Sequence, residues 1–269
     1  MVFEDYAAGF FDHARRLRDR KLTVRAFAEV VEAGRRYPLL RVDTPGRRRL
    51  LISAGFHGDE TAGPRTLLER LDEITAYAAA ADVGLTIYPS LNPSGFEDHT
   101  RYNRSGEKPN NDFLRYETEP GVWVGELEAA QKFLQYRLFR AGPKETQAFA
   151  AEIAEQPLPD AALDIHQDPY IKQPLAYAYS FGDSTPFRPL IALTERHLPI
   201  SRNAQVDDDV YTDADGLIRL HDGSITDYFH RRGVPYTVAL ETTTSAAMPI
   251  CHEVNLVWIK GFIDLAARR

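Results

Sequence analysis

Histidine and glutamate stand three residues apart in the segment His57-Gly58-Asp59-Glu60, directly after the apolar run 50–56. The run predicts a buried β-strand, and the polar segment marks the place where this strand gives way to a helix. Open α/β sheets bind their ligands at such strand ends. An imidazole and a carboxylate at this spacing can bind one metal ion together, so His57 and Glu60 are candidate metal ligands.

Two further predicted strands end in residues that could complete such a site. His166 follows the apolar run 161–165, and Glu241 follows the run 234–240. Zinc in hydrolases favours three protein ligands, and two histidines with one glutamate form an established set, so His166 is the candidate third ligand. Taken alone, His166 could pair with a nearby carboxylate and Glu241 could form a salt bridge. A buried carboxylate needs a partner, however, and three such strand ends together favour a metal site.

The elements that must position these residues alternate between strand and helix patterns. Strands are predicted at 27–31, 38–42, 50–54, 83–88, 161–165, 176–181 and 236–240, and helices at 3–19, 61–80, 125–140, 144–156, 186–196, 224–232 and 252–267. Alternating units are typical of a twisted parallel or mixed sheet that helices cover on both faces. Because no linker interrupts the pattern, we expect a single α/β domain over residues 1–269.

Composition narrows the class of protein further. The chain has 269 residues, 43% of them hydrophobic, and a net charge of -7 without a clustered basic face, so we expect no nucleic-acid partner. The single cysteine, Cys251, excludes an internal disulfide and a cysteine-rich zinc site. No stretch approaches the roughly 20 apolar residues that cross a bilayer, and no secretory signal is recognisable. We therefore expect no membrane partner and a cytoplasmic location, while the oligomeric state stays open.

In order and context these motifs resemble the zinc carboxypeptidases related to carboxypeptidase A, from about residue 30 to the end. Besides the three strand ends, the resemblance rests on the segments Leu91-Asn92-Pro93-Ser94-Gly95-Phe96, Arg101-Tyr102-Asn103 and Gly223-Ser224-Ile225. It implies a mixed sheet flanked by helices and one zinc ion held by His57, Glu60 and His166. It also implies that Glu241 is the general base and Arg101 the electrophilic arginine.

The implied chemistry is hydrolysis of an amide by a metal-activated water. Zinc lowers the pKa of its water to about 7 and polarises the scissile carbonyl. Glu241 would accept the proton of the water and pass it to the leaving amine. The forked guanidinium of Arg101 would stabilise the oxyanion, a contribution that is commonly worth about 100-fold or more.

The chain departs from the family where a substrate carboxylate is recognised. Family members that remove a C-terminal residue usually carry an Asp-x-Asn-Arg-Asn-like run, whereas this chain has the segment Lys108-Pro109-Asn110-Asn111. Asn110 fits the asparagine, but Asn111 stands where the arginine is expected. Lys108 stands where an aspartate would orient a zinc-bound histidine. Specificity for a C-terminal residue is therefore in question.

Other residues could take over substrate binding. A shifted loop would allow Arg104, Arg115 or Asp112 to substitute for the missing arginine. The family's tyrosine before the Gly-Ser-Ile segment has no match either, because Ile218 and Arg219 stand there. Arg219 could meet an acidic group of the substrate or belong to a polar loop face. The candidate substrate-binding residues are Asn110, Asn111, Arg104 and Arg219.

Two acidic features permit more than one interpretation. Asp164 precedes His166 by two residues, so the strand period places both side chains on one face. Asp164 could orient the histidine or pair with another neighbour. The run Asp207-Asp208-Asp209 does not match the spacing of a calcium loop, and a solvated acidic loop is the simpler interpretation.

We therefore predict a zinc-dependent hydrolase of amide bonds, a metallocarboxypeptidase-like peptidase or peptide amidase that acts on a small peptide or acyl-amino-acid substrate. Murein peptide amidases of the same family offer one example of such a reaction. A second hypothesis is an N-acyl-amino-acid deacylase that resembles aspartoacylase or succinylglutamate desuccinylase. A third is a zinc-binding protein that has lost catalysis, although the presence of Glu241 and Arg101 argues against it.

Overall fold

The computed structural model describes residues 2–128 and 131–269. Its strands are β1 (Thr23–Glu32), β2 (Arg35–Asp43), β3 (Arg48–Ala54), β4 (Val83–Tyr88), β5 (Leu114–Glu119), β6 (Val122–Val124), β7 (Gln135–Leu138), β8 (Ala161–Asp168), β9 (Ala176–Ser180), β10 (Gln205–Asp207), β11 (Val210–Tyr211), β12 (Leu217–Ile218) and β13 (Tyr236–Thr243). Its helices are α1 (Phe3–Arg16), α2 (Ala62–Glu69), α3 (Leu71–Ala80), α4 (Pro93–Asp98), α5 (Lys144–Ala154), α6 (Arg188–Thr194), α7 (Ile225–Arg231) and α8 (Met248–Ala267).

Eight strands form one mixed sheet in the order β1-β2-β4-β3-β8-β13-β9-β12. At its centre β3 runs parallel to both β4 and β8, and β8 runs parallel to β13. Towards the sides β1 pairs with β2, β2 with β4 and β13 with β9 in antiparallel fashion. The prediction of an α/β fold with a mixed sheet is confirmed.

Helices cover both faces of this sheet. The side chains of each strand point alternately to the two faces, so each central strand packs against helices on both sides. On β3, Leu50 and Ile52 belong to a core cluster that includes residues of α2, α3 and α8. Leu51, between them, belongs to a second cluster that includes residues of α5 and α7. Every residue of β8 is buried, as expected for a central strand that is covered on both faces.

The carboxyl ends of β3, β8 and β13 meet at one edge of the sheet. Ala54 at the end of β3 is in register with Ile165 of β8, and His166 of β8 is in register with Glu241 of β13. The turn that leaves β3 therefore arrives next to His166. This arrangement follows from parallel pairing, and it brings together the three strand ends that the sequence singled out.

Two predicted helices differ in the structure. The helix expected at 61–80 is divided into α2 and α3, because Arg70 leaves helical geometry (φ -112°, ψ 14°). The helix expected at 125–140 is wrong, since 135–138 form β7 and pair with β5, which also pairs with β6. The run Gln135-Tyr136-Arg137-Leu138 alternates polar and apolar residues, which suits a strand once β5 offers an open edge. Residues 129 and 130 of that predicted helix lie outside the described residues.

In the two described ranges, no helix combines the length and the apolar character that a bilayer crossing requires.

Candidate active site

Two histidines and a glutamate converge at the carboxyl edge of β3 and β8. Nδ1 of His57 lies 2.7 Å from Oε1 of Glu60, and Nδ1 of His166 lies 2.8 Å from Oε2 of the same carboxylate. Ligand-capable atoms of the three residues lie within 4.8 Å of one another, and each residue is buried. In the part of the chain that the structure describes, this is the only group of three or more potential metal ligands at such distances.

The pKa shifts of Glu60 and His57 favour the protonation states that bind a metal cation. Burial alone would raise the pKa of Glu60, but His57 and His166 lower it well below its ordinary value, so the carboxylate is ionised. Burial lowers the pKa of His57, which favours the neutral imidazole that binds metals. Nε2 of His57 is buried and has no hydrogen-bond partner among the described residues. Two imidazoles and one carboxylate fit a catalytic zinc ion, which commonly uses this donor set.

Asp164 contacts His166 directly. Of the two interpretations of Asp164, the structure therefore supports the one in which it orients the histidine. Its Oδ2 lies 2.8 Å from Nε2 of His166, while its Oδ1 accepts a hydrogen bond from Ser53 Oγ at 2.8 Å. Burial would lower the pKa of His166, but Asp164 and Glu60 raise it well above its ordinary value. A histidine held at Nε2 by a carboxylate presents Nδ1 for binding, which is the usual arrangement around a metal-ligating histidine.

The segment before Arg101 positions its loop. Asn92 caps α4 by accepting a hydrogen bond from the Gly95 amide at 2.9 Å, and its Nδ2 donates to the Arg101 carbonyl at 3.3 Å. A Cβ on Gly95 would lie 2.6 Å from Nδ2 of Asn92, and a Cβ on Gly58 would lie 1.9 Å from the Gly95 carbonyl carbon. Gly58 requires glycine because the backbone of the His57 turn packs directly on α4, and Gly95 requires it because the Asn92 side chain and the Tyr102 carbonyl oxygen leave no room for a Cβ.

Arg101 itself reaches the histidine-glutamate group. Its Nη1 donates to Glu60 Oε1 at 2.6 Å, and its guanidinium carbon lies 5.5 Å from the ring centroid of Tyr170. The side chain is mostly buried, with 19% of its surface exposed. The loop that carries Arg101 thus places a fixed positive charge beside the candidate ligands.

Glu241 faces the same space from the neighbouring strand. Its Oε2 is buried and accepts no hydrogen bond from any described residue. Burial raises the pKa of Glu241 well above its ordinary value, while His166 opposes this shift. A carboxylate with a raised pKa is a suitable proton acceptor near neutral pH.

A cavity of about 160 Å³ joins these residues to part of the predicted substrate-binding set. His57, His166, Arg101 and Glu241 line it together with Lys108, Asn110 and Asn111. Sequence reasoning missed further lining residues, namely Glu126, Tyr179, Asp222 and Ser224, and assigned Asp207 to a solvated loop. Only Asp222 and Ser224 had a local signal, since they flank Gly223 of the Gly-Ser-Ile segment.

Two predicted substrate-binding arginines are placed elsewhere. Arg104 forms ion pairs with Asp98 at 2.7 Å and with Glu97 at 3.0 Å, so its guanidinium is engaged away from the cavity. Arg219 donates from Nη2 to Ser184 Oγ at 2.8 Å and lines an adjoining groove. Neither arginine lines the cavity at the histidine-glutamate group.

Comparison with known sequences identifies relatives of the chain. The sequence profile of the succinylglutamate desuccinylase/aspartoacylase catalytic domain matches residues 46–193, more than half of the chain. This range contains His57, Glu60, Arg101 and His166, whereas Glu241 follows it. Carboxypeptidase 2 of Trichophyton rubrum is 28% identical over an alignment of 163 residues, and the match covers 53% of this chain and 30% of that protein. The match thus spans less than a third of the curated relative.

Solved structures share the fold. An inferred metallopeptidase from Shewanella amazonensis is 22% identical with a TM-score of 0.72, and the match covers 99% of this chain and 94% of that one. A counterpart from Shewanella baltica is 24% identical with a TM-score of 0.71, with coverages of 96% and 91%. Bovine thrombin-activatable fibrinolysis inhibitor, solved with a tick carboxypeptidase inhibitor, is 16% identical with a TM-score of 0.66, with coverages of 100% and 96%.

Proposed function

Since the chain belongs to the succinylglutamate desuccinylase/aspartoacylase catalytic-domain family and has a carboxypeptidase-like fold, we propose that it hydrolyses amide bonds of small peptides or acyl amino acids with a zinc ion. Family membership makes it a hydrolase of the metallopeptidase-like kind. One observation carries the finer proposal. His57 and His166, whose ligand atoms lie close to those of Glu60, line one cavity together with Glu241, whose Oε2 has no partner among the described residues.

His57, Glu60 and His166 would hold one zinc ion. When bound there, zinc supplies Lewis-acid chemistry, because it lowers the pKa of water to about 7 and polarises a carbonyl group. Asp164 fixes the tautomer and orientation of His166 through its contact with Nε2. The buried ionised Glu60 balances part of the positive charge.

Glu241 would act as the general base. Its Oε2 has no competing donor among the described residues, so it is available to accept a proton from water and to return that proton to the leaving amine. Arg101 would stabilise the negative charge that develops on the carbonyl oxygen. Its contact with Tyr170 and its burial hold the guanidinium near the position where that charge arises.

Residues 1–269 would act as one catalytic domain. Tyr6 and Phe10 of α1, Leu67 of α2 and Trp258 of α8 belong to the same core cluster as Ile52 of β3. These helices therefore share one core cluster with the central strand behind the candidate site.

Metal analysis combined with three variants tests the proposal. The purified protein should carry about one equivalent of zinc, and His57→Ala and His166→Ala should remove it. Glu241→Gln should keep the metal and lose hydrolysis, because a neutral amide does not accept the proton. Glu69→Gln, at a partly exposed helix position, is the matched control and should keep both. Full metal retention in both histidine variants would end the ligand assignment.

A substrate panel separates the possible reactions. C-terminal dipeptides, muropeptides and N-acyl amino acids are to be compared at equal concentration with the zinc-loaded protein. Turnover of the N-acyl amino acids alone would identify a deacylase. Turnover of none of them, with zinc bound and Glu241 intact, would favour a zinc protein without catalysis.

A further inference from the structure

Three carboxylates line the candidate active-site cavity beside the histidine-glutamate group. Glu126, Asp207 and Asp222 come from separate segments of the chain. None of the three forms an ion pair with a described residue. Among the described residues that line the cavity, Lys108 and Arg101 carry fixed positive charges, and Arg101 contacts Glu60. Independent observations also mark the cavity as a site, since His57, His166 and Glu241 line it and Oε2 of Glu241 is buried without a partner among the described residues.

The segment expected to bind a substrate carboxylate offers little to an anion. Asn111 stands in place of the family's arginine, and its Nδ2 donates to the Asp222 carbonyl at 3.1 Å. The Oδ1 of Asn110 is buried and has no partner among the described residues, so it is a free acceptor. At Asn111 the cavity thus lacks the family's positive charge and presents oxygen acceptors, while Lys108 is the cation of this segment that lines the cavity.

The acidic lining continues outward from the cavity. An adjoining groove of about 580 Å³ shares Glu126 with it and adds Glu128, Asp208 and Asp209. Arg219 is the single cation among the groove's lining residues, and its guanidinium already donates to Ser184. A positively charged group would therefore be attracted along the groove towards the candidate metal site.

Burial and neighbouring carboxylates together shift the pKa values of two ionisable groups in the cavity. Burial, followed by the charge on Asp227, raises the pKa of Asp222 to about 6. Burial, with Glu241 and Asp222 adding to it, raises the pKa of the Tyr179 hydroxyl, which stays a neutral donor. Burial is the larger cause of both pKa shifts, and neighbouring carboxylates add to each of them.

We propose that the substrate's leaving amine carries a second, positively charged amino group, which Glu126, Asp207 and Asp222 bind. This inference rests on the proposed function and names the substrate class of the same site. The shared chemistry is an ammonium group on an alkyl chain. It has two possible sources, the amide of a diamine and a peptide that ends in lysine.

Four amides with one acyl group test the inference. All four are benzoylglycyl amides that differ in the leaving amine. The 1,5-diaminopentane amide carries an ammonium group on the leaving amine and the pentylamine amide carries no charge there. The 6-aminohexanoate amide carries a carboxylate, and the lysine amide carries both an ammonium group and a carboxylate. We expect kcat/KM for the diaminopentane amide to exceed that for the pentylamine amide by about 10-fold, with the 6-aminohexanoate amide lowest. A comparison of kcat/KM for the lysine amide and the diaminopentane amide then shows whether a peptide that ends in lysine or the amide of a diamine is the better substrate.

Charge variants assign the preference to the named residues. Glu126→Gln and Asp207→Asn should each reduce the ratio of the diaminopentane to the pentylamine amide only about 3- to 10-fold, because both residues are exposed to solvent, which screens their charge. The double variant Glu126→Lys with Asp207→Lys should reverse the preference towards the 6-aminohexanoate amide. Asp5→Asn, an exposed acid on α1, is the control of equal charge change and should keep the wild-type ratio.

The outcomes separate this inference from the proposed function. Zinc-dependent hydrolysis with a preference for the neutral or the carboxylate-bearing amide would overturn the inference alone. Absence of hydrolysis for all four amides would count against the proposed function, and calorimetry then decides the inference. In that case 1,5-diaminopentane must bind the protein more tightly than pentylamine, and weaker or equal binding overturns the inference.

Discussion

The contact between Asp164 and His166 yields a prediction about metal affinity. Asp164 is fully buried, and its two carboxylate oxygens have different partners. Oδ2 meets Nε2 of His166, while Oδ1 accepts hydrogen bonds from Ser53 Oγ at 2.8 Å and from the Ile165 amide at 3.2 Å. In Asp164→Asn, the side-chain amide oxygen should occupy the position of Oδ1, because Ser53 Oγ and the Ile165 amide both donate hydrogen bonds there.

The amide NH₂ of the variant would therefore face Nε2 of His166. Nε2 must then accept a hydrogen bond, so the ring proton moves to Nδ1, which is the candidate ligand atom. Loss of such a partner commonly weakens metal affinity 10- to 100-fold. Because the variant also favours the wrong tautomer, we expect the upper end of this range, about 100-fold or ~2.7 kcal/mol.

Competition with a chelating dye at pH 7 measures the zinc dissociation constant. Asp160→Asn is the matched control, since Asp160 precedes β8 and its carboxylate contacts the Arg49 amide at 2.8 Å, away from the histidines. The control should keep the wild-type constant. A zinc constant for Asp164→Asn within 2-fold of wild type, in a folded protein, would refute the reasoning.

Three further substitutions have expected outcomes. The pKa of Asp222 is raised to about 6, so its ionisation opposes folding and the wild type loses stability as pH rises from about 4 through about 6. Asp222→Asn should therefore stabilise the protein above pH 6, by as much as ~3 kcal/mol, and have no effect at pH 4, as thermal unfolding across this range will show. Gly58→Ala should lower both the Tm and the activity, because the new Cβ meets the backbone of Gly95; an unchanged Tm would contradict the packing. Arg101→Lys should reduce kcat about 100-fold with zinc retained, since lysine lacks the forked guanidinium, and steady-state kinetics with parallel metal analysis will test this.

The sequence alone predicted the central strands and the residues at their ends. Mostly apolar runs of five to seven residues mark β3, β8 and β13, because a strand covered on both faces is apolar on both, with Ser53 and Asp164 as polar exceptions that bond to each other. His57, His166 and Glu241 stand where these runs end. Parallel pairing brings such ends to one edge, so local patterns were sufficient to predict that the three residues would meet.

Tertiary structure alone decided the features that depend on contacts between distant segments. Asp164 could point to either of two partners until Ser53 on β3 occupied one of its oxygens. Arg104 had the right charge for substrate binding, but Asp98 and Glu97 pair with it.

The sequence did not predict that three carboxylates would share the cavity, for the same reason. Glu126, Asp207 and Asp222 are separated along the chain: Glu126 falls in the helix expected at 125–140, Asp207 in the run interpreted as a solvated loop, and Asp222 beside Gly223 of the Gly-Ser-Ile segment. Strand periodicity depends on residues that are neighbours along the chain, so it can be recognised in the sequence itself. The charge that a substrate meets depends on which loops approach one another, and only the folded chain brings those three carboxylates to the candidate zinc site.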